Sequence, residues 1–175
     1  MTGKKKKIYT IGHSNRTINK FIEILIKNKI RCVVDVRSYP GSAWVPHFNK
    51  KVLKPKLAKY KIRYVHLPLL GGRRKLKTVI HTSIRAPGFS SYAEYMMTDD
   101  FHKGLAGLKA VANRCRTAYM CAEGPWWRCH RRMISDRLEY DGYNVYHLGV
   151  GAEPKRHVIW EISRLDRNGD VVYDQ

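Results

Sequence analysis

The stretch from Met120 to Arg132, which reads MCAEGPWWRCHRR, decides how we expect this chain to fold. An apolar run from Thr117 to Cys121 leads into it and predicts a buried strand, and an amphipathic run from Cys129 to Tyr140 predicts a helix. Gly124 and Pro125 predict a turn between the two. A strand that leads through a turn into a helix presents the side chains of that turn at its carboxyl end, where open α/β sheets bind ligands.

The alternation of strand and helix continues on both sides of this stretch. Apolar and β-branched runs predict further strands at 8–11, 31–36, 63–67 and 144–148, and helical periodicity predicts helices at 18–26, 51–60, 92–97 and 101–112. This order predicts an open, mainly parallel sheet with helices on both faces, in a single three-layer α/β domain over residues 8–175. We expect a basic flexible tail at 1–7, a surface loop at 75–88, and either a hairpin or a C-terminal extension at 156–175.

The charge of the chain indicates its partners. The sequence has 34 Lys and Arg against 14 Asp and Glu, which gives a net charge of +20, and its hydrophobic fraction of 43% is that of a globular protein. Such an excess of positive charge favours a polyanionic partner, and nucleic acid, DNA rather than RNA, is the first expectation. An anionic membrane surface or an acidic protein is the alternative. Because no apolar run approaches the ~20 residues of a membrane span, we expect a cytoplasmic protein with no membrane association.

Two of the predicted strands lead into groups that could act in a site. Asp35 ends a buried strand, and because a buried charge needs a partner, the nearby Arg37 is the first candidate. The two either form a structural pair, or Asp35 acts in chemistry while Arg37 and Ser38 contact an anionic ligand. His13 follows the first strand and is either a structural hydrogen-bonding residue or a functional one.

The loops add weaker signals for ligand binding. Gly71 and Gly72 allow close approach of a ligand to the backbone, and the adjacent Arg73 suits phosphate. This run lacks the spacing of the established phosphate-binding loops. Trp44 lies in a loop rich in aromatic residues and offers a face for stacking.

Several of these motifs occur together in an order that resembles the family catalogued as domain of unknown function 488. They are YTIGHS at 9–14, DVRS at 35–38 with Pro40, LGG at 70–72, and CAE at 121–123 followed by CHR at 129–131. The resemblance extends over about 8–148 and implies a compact α/β domain whose motif residues gather in one pocket. It also leads us to expect basic residues after Ser42, where this chain has Ala43 and Trp44.

The first functional hypothesis is an enzyme that flips a modified or damaged base and cleaves its N-glycosidic bond with paired carboxylates, as a DNA glycosylase does. In this hypothesis Asp35 or Glu123 is the general base, and His13 or His130 assists the departing base. The other residues would bind the substrate: Trp126 and Trp127 by stacking, Arg37 and Arg131 by holding phosphates, and Ser38, Trp44, Gly71, Gly72, Arg73, Arg128 and Cys129 as further contacts.

Three other hypotheses stay open. Cys129, predicted at a helix start between Arg128 and His130, should have a lowered pKa and could serve redox, sulfur-transfer or phosphoryl-transfer chemistry. Alternatively Cys121 and Cys129 only pack. A metal site of Cys121, Cys129 and His130 matches none of the common zinc spacings, so we predict no metal and no cofactor. The last hypothesis is a non-catalytic nucleic-acid-binding module. The sequence indicates no oligomeric state.

Overall fold

The computed structural model describes residues 5–75 and 80–175, and its centre is a six-stranded sheet with the strand order β3-β2-β4-β1-β5-β6. The first five strands are parallel, and β6 pairs antiparallel with β5 at one edge. The strands are β1 Lys7–Gly12, β2 Cys32–Asp35, β3 Arg63–His66, β4 Thr117–Cys121, β5 Asn144–Leu148 and β6 Lys155–Arg156. The predicted open, mainly parallel sheet is therefore confirmed.

Helices cover both faces of the sheet, as predicted. They are α1 Ile18–Lys27, α2 Lys50–Ala58, α3 Pro87–Tyr95, α4 Asp99–Arg114 and α5 Arg131–Tyr140. Alternate residues of β2 illustrate the layering, because Val33 packs with α1 and α2 while Val34 packs with the other three helices. Both faces of the central strands are buried, which is why these strands read as continuous apolar runs. None of the helices in 5–75 and 80–175 is long and apolar enough to cross a membrane.

Thr17 caps α1 by accepting a hydrogen bond from the backbone N–H of Lys20. The boundaries of two other helices correct the sequence interpretation. Helix α3 starts at Pro87, inside the segment 75–88 that was expected to be a loop, and 76–79 of that segment lie outside the described residues. Helix α5 starts at Arg131, so Cys129 precedes the helix by two residues.

The C-terminal segment forms a hairpin. Strands β7 Ser163–Leu165 and β8 Val171–Tyr173 pair antiparallel, with Gly169 at a positive φ in the connection. Of the two alternatives expected for 156–175, the structure has the hairpin, and its first strand begins at Ser163. Tyr173 is fully buried and packs into the same core as α3, α4 and α5, so the hairpin is part of this layer.

Candidate active site

A crevice opens at the carboxyl ends of β2 and β4, which are neighbours in the sheet. The chain leaves β2 towards α2 on one face and leaves β4 towards α5 on the other face. Adjacent parallel strands whose connections diverge in this way form the crevice in which open α/β sheets bind ligands. The CAEGPWWRCHRR stretch runs from the end of β4 through the following loop into α5, so the residues that decide the fold also form this site.

Two thiols lie in contact at the floor of the crevice. The Sγ atoms of Cys121 and Cys129 are 2.7 Å apart, and both side chains are buried. Burial acts to raise the pKa of Cys129, but the hydrogen bond from Cys121 and the positive charge of Arg131 outweigh it and lower that pKa to about 7. Burial raises the pKa of Cys121 well above its ordinary value, and the contact with Cys129 adds to this. Cys129 is therefore the thiolate of the pair, and Cys121 is the protonated donor.

His130 supplies a base beside the acidic thiol. Its Nε2 lies 3.0 Å from the carbonyl oxygen of Val36, and its Nδ1 lies 3.4 Å from Sγ of Cys129. Because a carbonyl only accepts hydrogen bonds, Nε2 carries the proton and Nδ1 is an acceptor in the neutral ring. Burial lowers the pKa of His130 and keeps the ring neutral. A nucleophile, a base and a group that orients the base are the parts of an activated cysteine.

Arg131 holds the β4–α5 loop in place and is not available to a phosphate. Its guanidinium donates to Sγ of Cys121 at 3.0 Å, to Oγ1 of Thr10 at 2.9 Å, and to the carbonyl oxygens of Glu123 and Gly124 at 2.5 and 3.1 Å. The side chain is only 1% exposed. The phosphate-binding role expected for Arg131 is therefore not supported, since its donors are already used inside the protein.

Asp35 forms the structural pair that the sequence left as one of two alternatives. Its carboxylate is fully buried and accepts from Nε and Nη2 of Arg37 at 2.9 and 2.7 Å, from the backbone N–H of Arg37, and from the hydroxyl of Tyr64. Arg37 also donates to the carbonyl oxygen of Phe48. With both oxygens engaged and no exposure to water, Asp35 is not placed to act as a general base, and Arg37 is not free to hold a phosphate.

His13 belongs to the same buried network. Its Nδ1 lies 2.8 Å from the carbonyl oxygen of Ser14, and its Nε2 lies 3.2 Å from Nη1 of Arg37. The ring stacks on Phe48 at 4.3 Å. Burial, followed by the charge of Arg37, lowers the pKa of His13 to about 4, so the ring is neutral near pH 7. Both nitrogens have partners, which argues for a positioning role behind Arg37 and against the catalytic role expected from the sequence.

The crevice encloses a cavity of about 350 Å³ with a charged rim. Cys121, Cys129 and His130 line it from inside, and the exposed side chains of Arg73, Arg128 and Glu123 line it near solvent. Tyr39 and Phe89 add aromatic surface. Two cations and one carboxylate at the rim favour an anionic ligand above the thiols.

The two predicted ligand-binding glycines are needed for close packing around this site. A Cβ atom on Gly72 would lie 2.6 Å from Nδ1 of His130, and one on Gly71 would lie 2.1 Å from Oγ of Ser38. Gly72 and Ser38 also line the cavity, whereas Gly71 is buried behind it. The LGG motif thus allows the β3–α3 connection to approach His130 closely.

The three tryptophans predicted to bind a base do not line the cavity. Trp126 stacks on the buried His147 with ring centroids 4.0 Å apart, so it anchors the β4–α5 loop. Trp127 lines a neighbouring surface depression with Ser14 and is 45% exposed. Trp44 is exposed in the loop after β2.

Sequence analysis missed a buried chain of polar groups behind Trp126. Asp136 accepts from Nε2 of His157 at 2.8 Å, and Nδ1 of His157 lies 2.9 Å from Nε2 of His147. The hydroxyl of Tyr173 and the backbone N–H of Trp160 also donate to Asp136. The amphipathic pattern of α5 does not distinguish Asp136 from an exposed carboxylate. Its hydrogen-bond donors lie far away in the sequence, so no local pattern indicates that it is buried.

One group of side chains could offer three ligands to a metal ion: Cys121, Cys129 and His130. Their ligand atoms lie within 4.8 Å of one another. Two sulfurs bound tetrahedrally to one zinc ion at ~2.3 Å would be ~3.8 Å apart, and the sulfurs here are 2.7 Å apart. This separation does not match that of two sulfurs bound to one zinc ion.

The comparisons with known proteins give one positive finding. Neither the search of curated proteins nor the search of solved structures returned a match. A family model described as "Domain of unknown function DUF488" matches residues 17–138, which include the motifs from β2 to α5 but not the one at 9–14. Since the match covers more than half of the chain, this protein belongs to the DUF488 family.

Proposed function

We propose that this chain is a cysteine-dependent enzyme that performs thiol–disulfide exchange on an anionic substrate. One observation carries the proposal: two thiols lie in contact on the floor of a crevice, and only one of them is acidic. An acidic thiol attacks a disulfide, and a second thiol beside it resolves the mixed disulfide. Cys129 takes the first role and Cys121 the second.

In the first step, the thiolate of Cys129 attacks one sulfur of the substrate disulfide. A bond forms between Sγ of Cys129 and that sulfur, the substrate S–S bond breaks, and the other substrate sulfur leaves with the electron pair. Nδ1 of His130 takes the thiol proton when Cys129 starts as a thiol and returns it to the leaving sulfur. The product of this step is a mixed disulfide on Cys129.

In the second step, Cys121 attacks Sγ of Cys129. A bond forms between the two cysteine sulfurs, and the remaining substrate thiolate leaves with the proton of Cys121. The protein dithiol is thereby oxidised to a disulfide, and the substrate disulfide is reduced to two thiols. Before the next cycle, another thiol compound must reduce the Cys121–Cys129 disulfide back to the dithiol.

Hydrolysis of an N-glycosidic bond remains a prediction from the sequence. That mechanism needs two carboxylates that water and substrate can reach. Glu123 is exposed at the rim, but Asp35 is buried and bonded to Arg37 and Tyr64. Thiol chemistry therefore has the stronger support at this site.

The test is mass analysis of the reduced protein after incubation with glutathione disulfide, which carries carboxylates as well as a disulfide. We expect the wild-type chain to release two equivalents of glutathione and to form a Cys121–Cys129 disulfide. Cys121→Ser should stop at one glutathionyl group on Cys129, because the resolving thiol is missing. Cys129→Ser should not react at that site.

Cys115→Ser is the matched control. Cys115 is a half-buried thiol that precedes the amino end of β4, whereas the crevice lies at the carboxyl end of this strand. It should behave like the wild-type chain. Equal reaction of Cys121 and Cys129, or a bound glutathionyl group that Cys121 never displaces, contradicts the proposal.

A further inference from the structure

We infer that the crevice continues into a cationic groove that binds single-stranded nucleic acid, so that part of the strand lies over the thiol pair. A nucleic-acid strand has no disulfide for the thiols to exchange, so this inference concerns binding and does not name their substrate. As a statement about binding, it stands on the shape, the charge and the exposed aromatic side chains of the groove.

The groove consists of two cavities that share a wall. The cavity over the thiols, of about 350 Å³, and a second one of about 750 Å³ are both lined by Tyr39 and Arg73. The second cavity continues past Arg74 and Lys75 to Tyr95 on α3. The two cavities therefore adjoin, which offers room for an extended chain and not only for one compact metabolite.

The charge along this depression is mostly positive. Arg128 and Arg73 line the first cavity, and Arg73 and Lys75 line the second; all three side chains are exposed. The carboxylates that line the two cavities are those of Glu123 and Asp100. Arg74 also lines the groove, but its guanidinium donates to backbone carbonyls and stacks on the ring of Tyr95.

The surrounding sequence strengthens this charge. Between Asp35 and Glu94 the chain has 13 Lys and Arg and no Asp or Glu. The segment includes α2, whose first residue, Lys50, donates its backbone N–H to the carbonyl oxygen of Pro40 beside Tyr39. A strand that leaves the groove in this direction meets further cations, which is what a polyphosphate backbone requires.

Two aromatic side chains in the loop after β2, which contributes Tyr39 to the groove, are unusually exposed. Tyr39 is 74% exposed and lines both cavities, and Trp44 is 94% exposed in the same loop. Neither ring is buried by packing against the rest of the protein. Unpaired bases stack on such side chains without regard to sequence, and the bases of a duplex are not accessible in this way. The combination of groove and aromatic residues therefore favours a single strand.

Binding is measured by fluorescence anisotropy with labelled single-stranded DNA and RNA oligonucleotides of mixed sequence. The affinity of the wild-type chain should fall steeply as NaCl increases. The double variant Arg73→Gln/Lys75→Gln removes two exposed cations and should lower the slope of log affinity against log salt by roughly 1.4. The double variant Tyr39→Ala/Trp44→Ala should weaken binding by about tenfold or more with an unchanged slope.

Lys5→Gln/Arg114→Gln is the control of equal charge. Both residues are exposed at the amino ends of the parallel strands, where β1 begins and α4 ends, whereas the groove lies at the carboxyl ends. The two control residues line a separate cationic depression. If this control loses as much affinity as Arg73→Gln/Lys75→Gln, net charge or that depression explains binding, and the groove is wrong. Equal binding to duplex DNA, or preferred binding to vesicles of anionic lipid, also overturns the inference.

The position of the strand is tested by alkylation. A saturating oligonucleotide should slow the reaction of Cys129 with iodoacetamide, because the strand covers the cavity that leads to it. Unchanged alkylation with bound strand would place binding elsewhere. Formation of the Cys121–Cys129 disulfide without any strand binding would overturn only this inference, and strand binding without that disulfide would overturn only the proposed function.

Discussion

At the scale of single residues, one hydrogen bond contributes to the difference in acidity between the two thiols, together with burial and the charge of Arg131. Cys121 donates to Cys129, and this donor helps to lower the pKa of Cys129 to about 7. The lowered pKa means that the thiolate accumulates as pH rises through about 7. The rate of iodoacetamide alkylation of Cys129 should therefore rise through this pH and then level off, while Cys121 should stay slow.

Substitution of Cys121 separates this cause from the charge of Arg131. Cys121→Ala removes the donor and should move the alkylation midpoint of Cys129 to higher pH. Cys121→Ser keeps an O–H donor and should move it less. Identical pH profiles for the two variants would mean that the contact between the sulfurs does not set the acidity of Cys129.

The two carboxylates that the sequence paired should respond differently to loss of charge. Asp35→Asn removes the buried partner of Arg37, and breaking a buried ion pair costs about 3–5 kcal/mol of unfolding free energy. Glu123→Gln changes an exposed side chain and should alter this free energy by less than about 0.5 kcal/mol. Urea unfolding of both variants measures the difference. A stable Asp35→Asn variant would reopen the catalytic interpretation of Asp35.

At the scale of elements, the connection after β3 controls the position of His130. A Cβ atom on Gly72 would lie 2.6 Å from Nδ1 of His130, whereas one on Gly88 in α3 would meet no atom within 4 Å. Gly72→Ala should therefore displace the ring from Cys129 and slow glutathione disulfide reduction about tenfold or more, since proton transfer by a positioned base contributes ~10²–10⁴-fold. Gly88 also lines the cavity, so Gly88→Ala is a matched control and should retain activity.

Elements were predictable from the sequence to the extent that local pattern determines them. The strand from Thr117 to Cys121 and the one from Asn144 to Leu148 have the predicted boundaries, because short runs rich in β-branched, aromatic and aliphatic residues favour strands. The pairing of Asp35 with Arg37 was among the predicted alternatives because the two are neighbours in sequence.

The remaining parts of the site depend on contacts between distant residues. Tyr64 reaches Asp35 from β3, and Arg131 crosses from α5 to Thr10 on β1. Neither contact has a spacing signature in the chain. As a result, the sequence assigned ligand-binding or catalytic roles to groups whose hydrogen bonds are already used within the fold.

At the scale of the whole molecule, the net charge of +20 acts against the folded state through repulsion between like charges. Helix α2 concentrates this effect, because it has four Lys and no Asp or Glu among its nine residues. We expect the melting temperature to rise when NaCl is increased from low ionic strength to ~0.15 M, where the screening length is ~8 Å. Chloride is the suitable anion, since sulfate or phosphate would also stabilise the folded chain wherever it bound to it.

The triple variant Lys51→Gln/Lys54→Gln/Lys59→Gln tests whether repulsion is the cause. The three side chains are exposed on or next to α2, and Gln is about as good a helix former as Lys. Removing the like charges at helical spacing should gain about 1 kcal/mol at low salt, equivalent to ~2–4 °C in melting temperature, and should flatten the response to NaCl. A salt response that stays as steep in this variant would assign the stabilisation to anion binding elsewhere on the protein and not to screening along α2.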